Sequence, residues 1–338
     1  MISAAMIVRD AETTIRAAIE SLRPVVDEIL VLDTGSKDLT VSVLGEIRAS
    51  WAVSDGPPIR VERWAWRDDF SAARNEAQCR VSRGAEWIVV LDADEVLEPG
   101  NLRATVLSAP EAIDACAVRV ECKGDGPFMD RFWSNRAYRK SRGRWIYPVH
   151  NQLVGPRRAA RTTAVVRTDY TGLARNRMER SIPMLERLHA ENPKDLHAPL
   201  FLARTYAANG GWEKTLYWVE IGIPLCKGEP GEVSLWIARA QALFALRGCQ
   251  ASEDALGEAL AKYPDAPDLW HFGVMLSVAK WVEMAAEAKK SHTYDLSQEH
   301  WVETDDDLRR VQGAIEALEL PLLVARSRPI PPPAPSKI

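Results

Sequence analysis

The run Trp87-Ile88-Val89-Val90-Leu91 passes directly into Asp92-Ala93-Asp94-Glu95, so a buried strand ends in closely spaced carboxylates. Acids so placed suit the holding of a hard divalent cation against a diphosphate whose charge grows as it leaves. The plainer use is a loop or a helix cap. Three other segments carry matching chemistry. In Glu28-Ile29-Leu30-Val31-Leu32-Asp33-Thr34-Gly35-Ser36 a strand ends in an acid able to accept from a base edge, and the turn at Gly35 admits close backbone approach. In Trp66-Arg67-Asp68-Asp69-Phe70-Ser71-Ala72-Ala73-Arg74 the spacing predicts Ser71 as a helix N-cap and puts Arg74, a fork suited to phosphate, in the first turns. In Arg144-Trp145-Ile146-Tyr147-Pro148-Val149-His150-Asn151 the histidine offers an imidazole to a metal or a diphosphate, although a lone histidine is more often structural.

These segments need a scaffold that gathers strand ends. Apolar runs at Ile2 to Val8, Glu28 to Leu32, Ile59 to Trp64 and Trp87 to Leu91 alternate with helical patterns near Glu12 to Leu22, Leu39 to Ile47 and Ser71 to Val81. This is the βαβ alternation of a Rossmann-like parallel sheet, whose ligands sit at the carboxyl ends of strands. Residues 114–168 read as strand-rich. From about Arg175 the pattern turns helical, with Leu200, Ala203, Tyr206 and Ala207 before Asn209-Gly210-Gly211-Trp212 as one tetratricopeptide-like unit. A second copy runs from Leu235 to Pro264 and a degenerate third from Leu269 to Ala288. The expected division is 1–174, 175–326 and a proline-rich extended tail at 327–338.

The segments MIVRDAE, VLDTGSKD, WRDDFSAARNEA, EWIVVLDADE and RWIYPVHNQL resemble, in order and spacing, the family 2 glycosyltransferases of the GT-A fold. The resemblance is to the bacterial branch with a helical-repeat extension that includes the sublancin-type enzymes. It implies a UDP-sugar donor, an inverting transfer and Mn²⁺ or Mg²⁺. By it Val8, Arg9 and Glu12 line the nucleotide, with Gly35 close by. Asp33 meets the uracil, Arg74 and Asp92 flank the diphosphate and ribose, and Asp68 and Asp69 lie near the sugar, the alternative for this pair being loop acids that cap the following helix. Asp94 takes the metal, with His150 as a further ligand. Members of this kind commonly carry a glutamate after the histidine, where this chain has Asn151. An amide cannot remove a proton, so Asp130 and Asp169 are the candidate bases by position.

Ten basic residues and no acid lie between Arg131 and Thr168, with aromatics interleaved. Arg131, Trp133, Arg136, Arg139, Arg142, Arg144, Trp145 and Asn151 are therefore expected to face an acceptor. The sharp reading is an anionic macromolecule, either DNA with a hydroxymethylated pyrimidine or a phosphorylated glycan core. The alternatives are a peptide lying along the repeats and cations spent on internal pairs. Met6-Ile7-Val8-Arg9-Asp10-Ala11-Glu12 has no glycine, which argues against a nucleotidyltransferase. A decayed, non-catalytic binding protein is disfavoured by four retained polar groups, Asp33, Arg74, Asp92 and Asp94. A net charge of -4 selects no polyanion globally. Five cysteines without a CxxC pair, and no apolar run of membrane length, lead us to expect a cytoplasmic protein. The oligomeric state is left open.

Overall fold

A computed structural model of the chain describes residues 1–123, 129–169, 174–228 and 230–277. Two units divide between Met184 and Leu185. The first opens with β1 (Ile2–Val8), α1 (Ile15–Leu22), β2 (Glu28–Asp33), α2 (Thr40–Val53), β3 (Ile59–Arg63), α3 (Phe70–Arg80) and β4 (Trp87–Val89). It continues through β5 (Glu95–Glu98), α4 (Leu102–Leu107), β6 (Ala115–Lys123), β7 (Met129–Arg139), β8 (Arg144–Ile146), β9 (Gln152–Val154) and β10 (Ala159–Asp169).

Eight strands form one mixed sheet in the order β3-β2-β1-β4-β7-β6-β10-β5, and β8-β9 form a separate ribbon. β1 pairs in parallel with β2 and β4, while β7 is antiparallel to both β4 and β6. The period-2 alternation of β1 fixes the layers. Ile2, Ala4, Met6 and Val8 join one core with Ile15, Ile19 and Leu44, and Ala5 joins the opposite core with Leu30, Ile88 and Ala77. Helix α1 buries Ile15, Ala18, Ile19 and Leu22, a single face at helical spacing.

Several boundaries differ from the sequence expectation, and α2 runs on to Val53 rather than ending near Ile47. α1 starts at Ile15 rather than near Glu12, because Glu12 is used as a bridge: its N–H donates to Asp38 Oδ2 (2.9 Å) and its carboxylate accepts from Leu39 N (2.8 Å). The β4 ladder closes at Val89, although Val90 N still donates to Arg136 O at 2.8 Å.

Helix α5 (Ala174–Glu191) leads into the second unit, formed by α6 (His197–Ala207), α7 (Trp212–Gly222), α8 (Val233–Arg247) and α9 (Cys249–Lys262). The α6–α7 turn passes Gly210 at φ +71°, and Gly248 at φ +86° separates α8 from α9, both where the left-handed region excludes most side chains. Trp236, Leu256, Ala259, Tyr263, Leu269 and Leu276 share one core, so the helix of residues 267–277 stacks on the second hairpin. The remainder of the third copy and the tail at 327–338 lie outside the described residues. Among the described residues no helix is long and apolar enough to cross a membrane.

Candidate functional site

The carboxyl ends of β1, β2 and β4 gather the polar segments on one sheet edge. Asp92 and Asp94 are half-buried on the turn after β4. Arg74, on α3, reaches Asp92 Oδ1 with Nη2 at 2.6 Å, and its guanidinium carbon lies 4.8 Å from the centre of the Trp145 ring. The Arg74 side chain is 10% exposed, and its Nε and Nη1 are buried without a hydrogen-bond partner. Buried donors left in this way cost about 1–3 kcal/mol each, so they signal strain or a ligand. Glu95 is turned inward: its Oε2 accepts from Asp92 N (2.9 Å) and its Oε1 from Arg136 Nη2 (2.5 Å). Burial pushes the Glu95 carboxyl up, and the charges of Asp92 and Asp94 add to that against the opposing pull of Arg136. Thr168 Oγ1 donates to Asp94 O at 3.4 Å.

Asp33 is buried at the end of β2, where its Oδ1 accepts from Ser36 N (3.0 Å) and its Oδ2 lies 4.0 Å from Arg63 Nε. Thr34 ties this end to β1 by donating to Val8 O from both N (2.9 Å) and Oγ1 (3.0 Å). Gly35 sits at φ +109°. Asp10, beside Arg9, accepts from Lys37 N at 2.7 Å, so the β1 and β2 loops lock together. A cavity of about 360 Å³ is lined by Asp33, Gly35, Ser36, Arg63 and Trp64. Arg63 and Trp64 escaped the sequence reading. The parallel register that sets Arg63 beside Asp33 is the signal that could have found them.

The N-cap of α3 is Asp69, not Ser71. Asp69 has extended dihedrals and its Oδ1 accepts from Ala72 N (2.8 Å), while Ser71 lies inside the helix and donates its hydroxyl to the same oxygen (2.7 Å). Asp68 accepts from Trp66 Nε1 at 2.8 Å. Phe70 N donates to Pro148 O at 2.8 Å, which joins this loop to the segment of Tyr147, His150 and Asn151. Of five non-glycine residues at positive φ among the described residues, four stand in these loops: Asp10 (48°), Asp68 (52°), Tyr147 (69°) and His150 (49°). Such strain, about 1–3 kcal/mol each, collects where surrounding structure over-determines a site.

The basic run divides by position. Arg136 is the buried partner of Glu95, and Arg139 donates to the carbonyls of Ile113, Ala109 and Pro110. Trp145 is 9% exposed, its Nε1 donating to Tyr138 Oη (2.9 Å) and one face taken by Arg74. These three are committed to the fold rather than presented to an acceptor. Arg139 pairs across from Trp87, five residues before Asp92 and so about 16 Å from it along the strand. Arg142 stands at that far end with Asp114 (3.8 Å). Arg131 leans on Glu121 (3.6 Å), Arg161 covers Trp133 (5.1 Å), and Arg144 is exposed on the ribbon. Asp130 pairs with Cys122 and Asp169 with Lys123 at the sheet edge that also holds Asp94, and Lys123 Nζ lies 3.4 Å from the Asp169 carboxylate. Among the described residues no group of three or more His, Cys, Asp or Glu side chains converges to hold a metal.

Residues 3–167 match the family described as Glycosyl transferase family 2. Over 283 residues the chain is 29% identical to a TPR repeat-containing protein of Synechococcus elongatus, a span of 78% of this chain and 65% of that protein. It is 30% identical over 100 residues to the SPbeta prophage-derived glycosyltransferase SunS of Bacillus subtilis, 30% of this chain and 21% of that one. The chain thus spans less than two thirds of the length of either relative. Among solved structures, S. aureus TarS 1–349 is similar at a TM-score of 0.42 and 13% identity, over 80% of this chain and 91% of that one.

Proposed function

We propose that the chain, whose residues 3–167 match the family described as Glycosyl transferase family 2, moves a hexose, with glucose the first to test, from a UDP-sugar to an acceptor hydroxyl with inversion. The observation that carries this is Arg74: nine-tenths buried, bound to Asp92 by one nitrogen and holding two further donors unspent. A diphosphate oxygen is the acceptor such a fork suits. Asp33, fixed by Ser36 N on the wall of the cavity it shares with Arg63 and Trp64, would meet a base N–H with the oxygen that now faces Arg63. Val8, Arg9 and Glu12 close the nucleotide side, with Asp68 near the sugar. Asp69, spent as a helix cap, orients that loop rather than the sugar itself.

With Asp92 and Asp94 as carboxylates on one turn, a divalent cation, Mn²⁺ or Mg²⁺, would bind here together with the donor. Two carboxylates crowd one turn so closely that their charge acts on Glu95, which a cation would relieve. By the resemblance to the family 2 enzymes, Asp94 would hold the ion, with His150 and the donor's own oxygens completing its shell. When bound, the cation offsets charge gathering on the departing diphosphate. The acceptor oxygen attacks the anomeric carbon as the bond to the diphosphate breaks, and its proton passes to a carboxylate. Asp130 and Asp169 are the candidates for this role by position in the sequence, and Asn151 can only orient the acceptor.

An anionic macromolecular acceptor, modified DNA or a phosphorylated glycan, would meet Arg131 and Trp133 on the outer face of β7, with Arg144 on the ribbon. Internal pairing of Arg136, Arg139 and Arg142 thins that charge and favours, as the second reading, a peptide along the helical repeats. The test is Mn²⁺-dependent hydrolysis of UDP-glucose together with UDP binding by calorimetry, then labelled transfer to modified DNA, glycan core and peptide. Asp94→Ala should abolish turnover and leave the fold intact. An unmodified protein that neither binds UDP nor hydrolyses the donor overturns the proposal.

A further inference from the structure

Asp92-Ala93-Asp94-Glu95 invites the reading that all three carboxylates face the ligand. Glu95 does the opposite. It is 0% exposed, accepts the Asp92 N–H with one oxygen and the Arg136 guanidinium with the other, and Arg136 is itself only 13% exposed on β7. We infer that Glu95 and Arg136 are positioning residues, an internal strut that fixes the turn carrying Asp92 and Asp94, and that Glu95 holds neither cation nor donor. This rests on the donor-site reading above.

The turn needs such a strut. Only three residues separate the end of the buried run at Leu91 from β5, and the acids on them repel one another. The backbone is closed by Glu95 N donating to Asp92 O (3.0 Å), and Thr168 steadies the carbonyl of Asp94. Neither contact fixes the Asp92 N–H, which the Glu95 carboxylate takes up. Arg136 serves twice, since its carbonyl accepts from Val90 N and its side chain holds Glu95. One residue of β7 thereby pins both the last strand residues and the turn that follows them. Arg74 grips the turn from the ligand side and Arg136 from beneath. If the strut is lost, the Asp92 peptide can rotate and carry both acids out of register with the donor.

The experiment uses the full chain and four variants: Glu95→Gln, Arg136→Lys, Arg136→Met and the double Glu95→Gln/Arg136→Met, which leaves no unpaired buried charge. Mn²⁺ affinity is read by calorimetry with UDP present, beside kcat and KM for donor hydrolysis and the melting temperature. Glu95→Gln and the double variant should weaken Mn²⁺ by about 10-fold or more and lower kcat similarly, with KM for the sugar nucleotide within about 3-fold. Arg136→Lys should recover part of both relative to Arg136→Met. A double variant that folds and keeps wild-type Mn²⁺ affinity and kcat overturns the inference, whatever its melting temperature. A wild-type protein that binds no UDP with Mn²⁺ removes the donor-site reading, and the inference falls with it.

Discussion

Arg74 meets a carboxylate along its edge and an indole across its face, so its direction is set before any ligand arrives. Arg74→Lys keeps the charge but loses the planar fork, and kcat/KM for UDP-glucose hydrolysis should fall by about 10- to 100-fold, with Arg74→Ala lower still. Steady-state kinetics on the two variants checks the order, and equal activity of the lysine variant and wild type would remove the need for the fork. Both Arg74 and Asp92 were legible in the sequence, but their 2.6 Å contact was not, because nothing in two separate motifs says which polar groups will face each other. Trp145 was readable as an aromatic among cations. Which side of it the arginine would take was not, and Asn75 decides that by bonding both the N–H (2.9 Å) and the C=O (2.8 Å) of Trp145. Ser71 and Asp69 are both good caps, and only the extended dihedrals at Asp69 choose between them.

At the scale of elements, α3 works as a beam with site chemistry at one end and clamps along its length. Gln78 donates to Gly143 O (2.9 Å) and accepts from Tyr138 Oη (2.8 Å), which seats the β8–β9 ribbon under the helix. Gly155, after β9, is at φ +105°, and a Cβ there would meet Arg142 O at 1.8 Å, so the ribbon's closing turn admits no other residue without moving. β2 begins with a second clamp. Burial alone would raise the Glu28 carboxyl, but hydrogen bonds from Ser82 and Ser3, with the charge of Arg60, outweigh it and hold the group below its usual 4.5. A folded value below the unfolded one gives stability that is full above about pH 4.5 and lost as pH falls through the folded value. Urea midpoints should therefore drop on acidification below that point, and more shallowly in Glu28→Gln. An unchanged acid slope would mean that other carboxylates carry the effect. The strands and helices were legible because their periods are clean. The clamps were not, since they join residues 25 to 70 positions apart.

For the whole molecule, the sequence disclosed an α/β half and a helical half, because period 2 and period 3.6 do not mix. The first two helical hairpins fall where the repeats were read, with glycines at the turns. Gly222 explains how tightly they stack, since a Cβ there would lie 2.8 Å from Leu235 Cδ2 and 3.3 Å from Pro199 Cβ. Leu235 is fully buried, and Leu235→Ala should cost about 2–5 kcal/mol, seen as a lower melting temperature by circular dichroism. A loss below about 1 kcal/mol would mean that neighbouring helices close the gap. The sheet order has a further consequence at its two margins. One margin is β3, whose Arg60, Glu62 and Arg63 put charge along a five-residue strand, and the other is β5, four residues long and halted by Pro99. Short margins, one charged and one stopped by a proline, give an incoming strand from another molecule little to copy, so concentrated protein should resist fibre growth by edge addition.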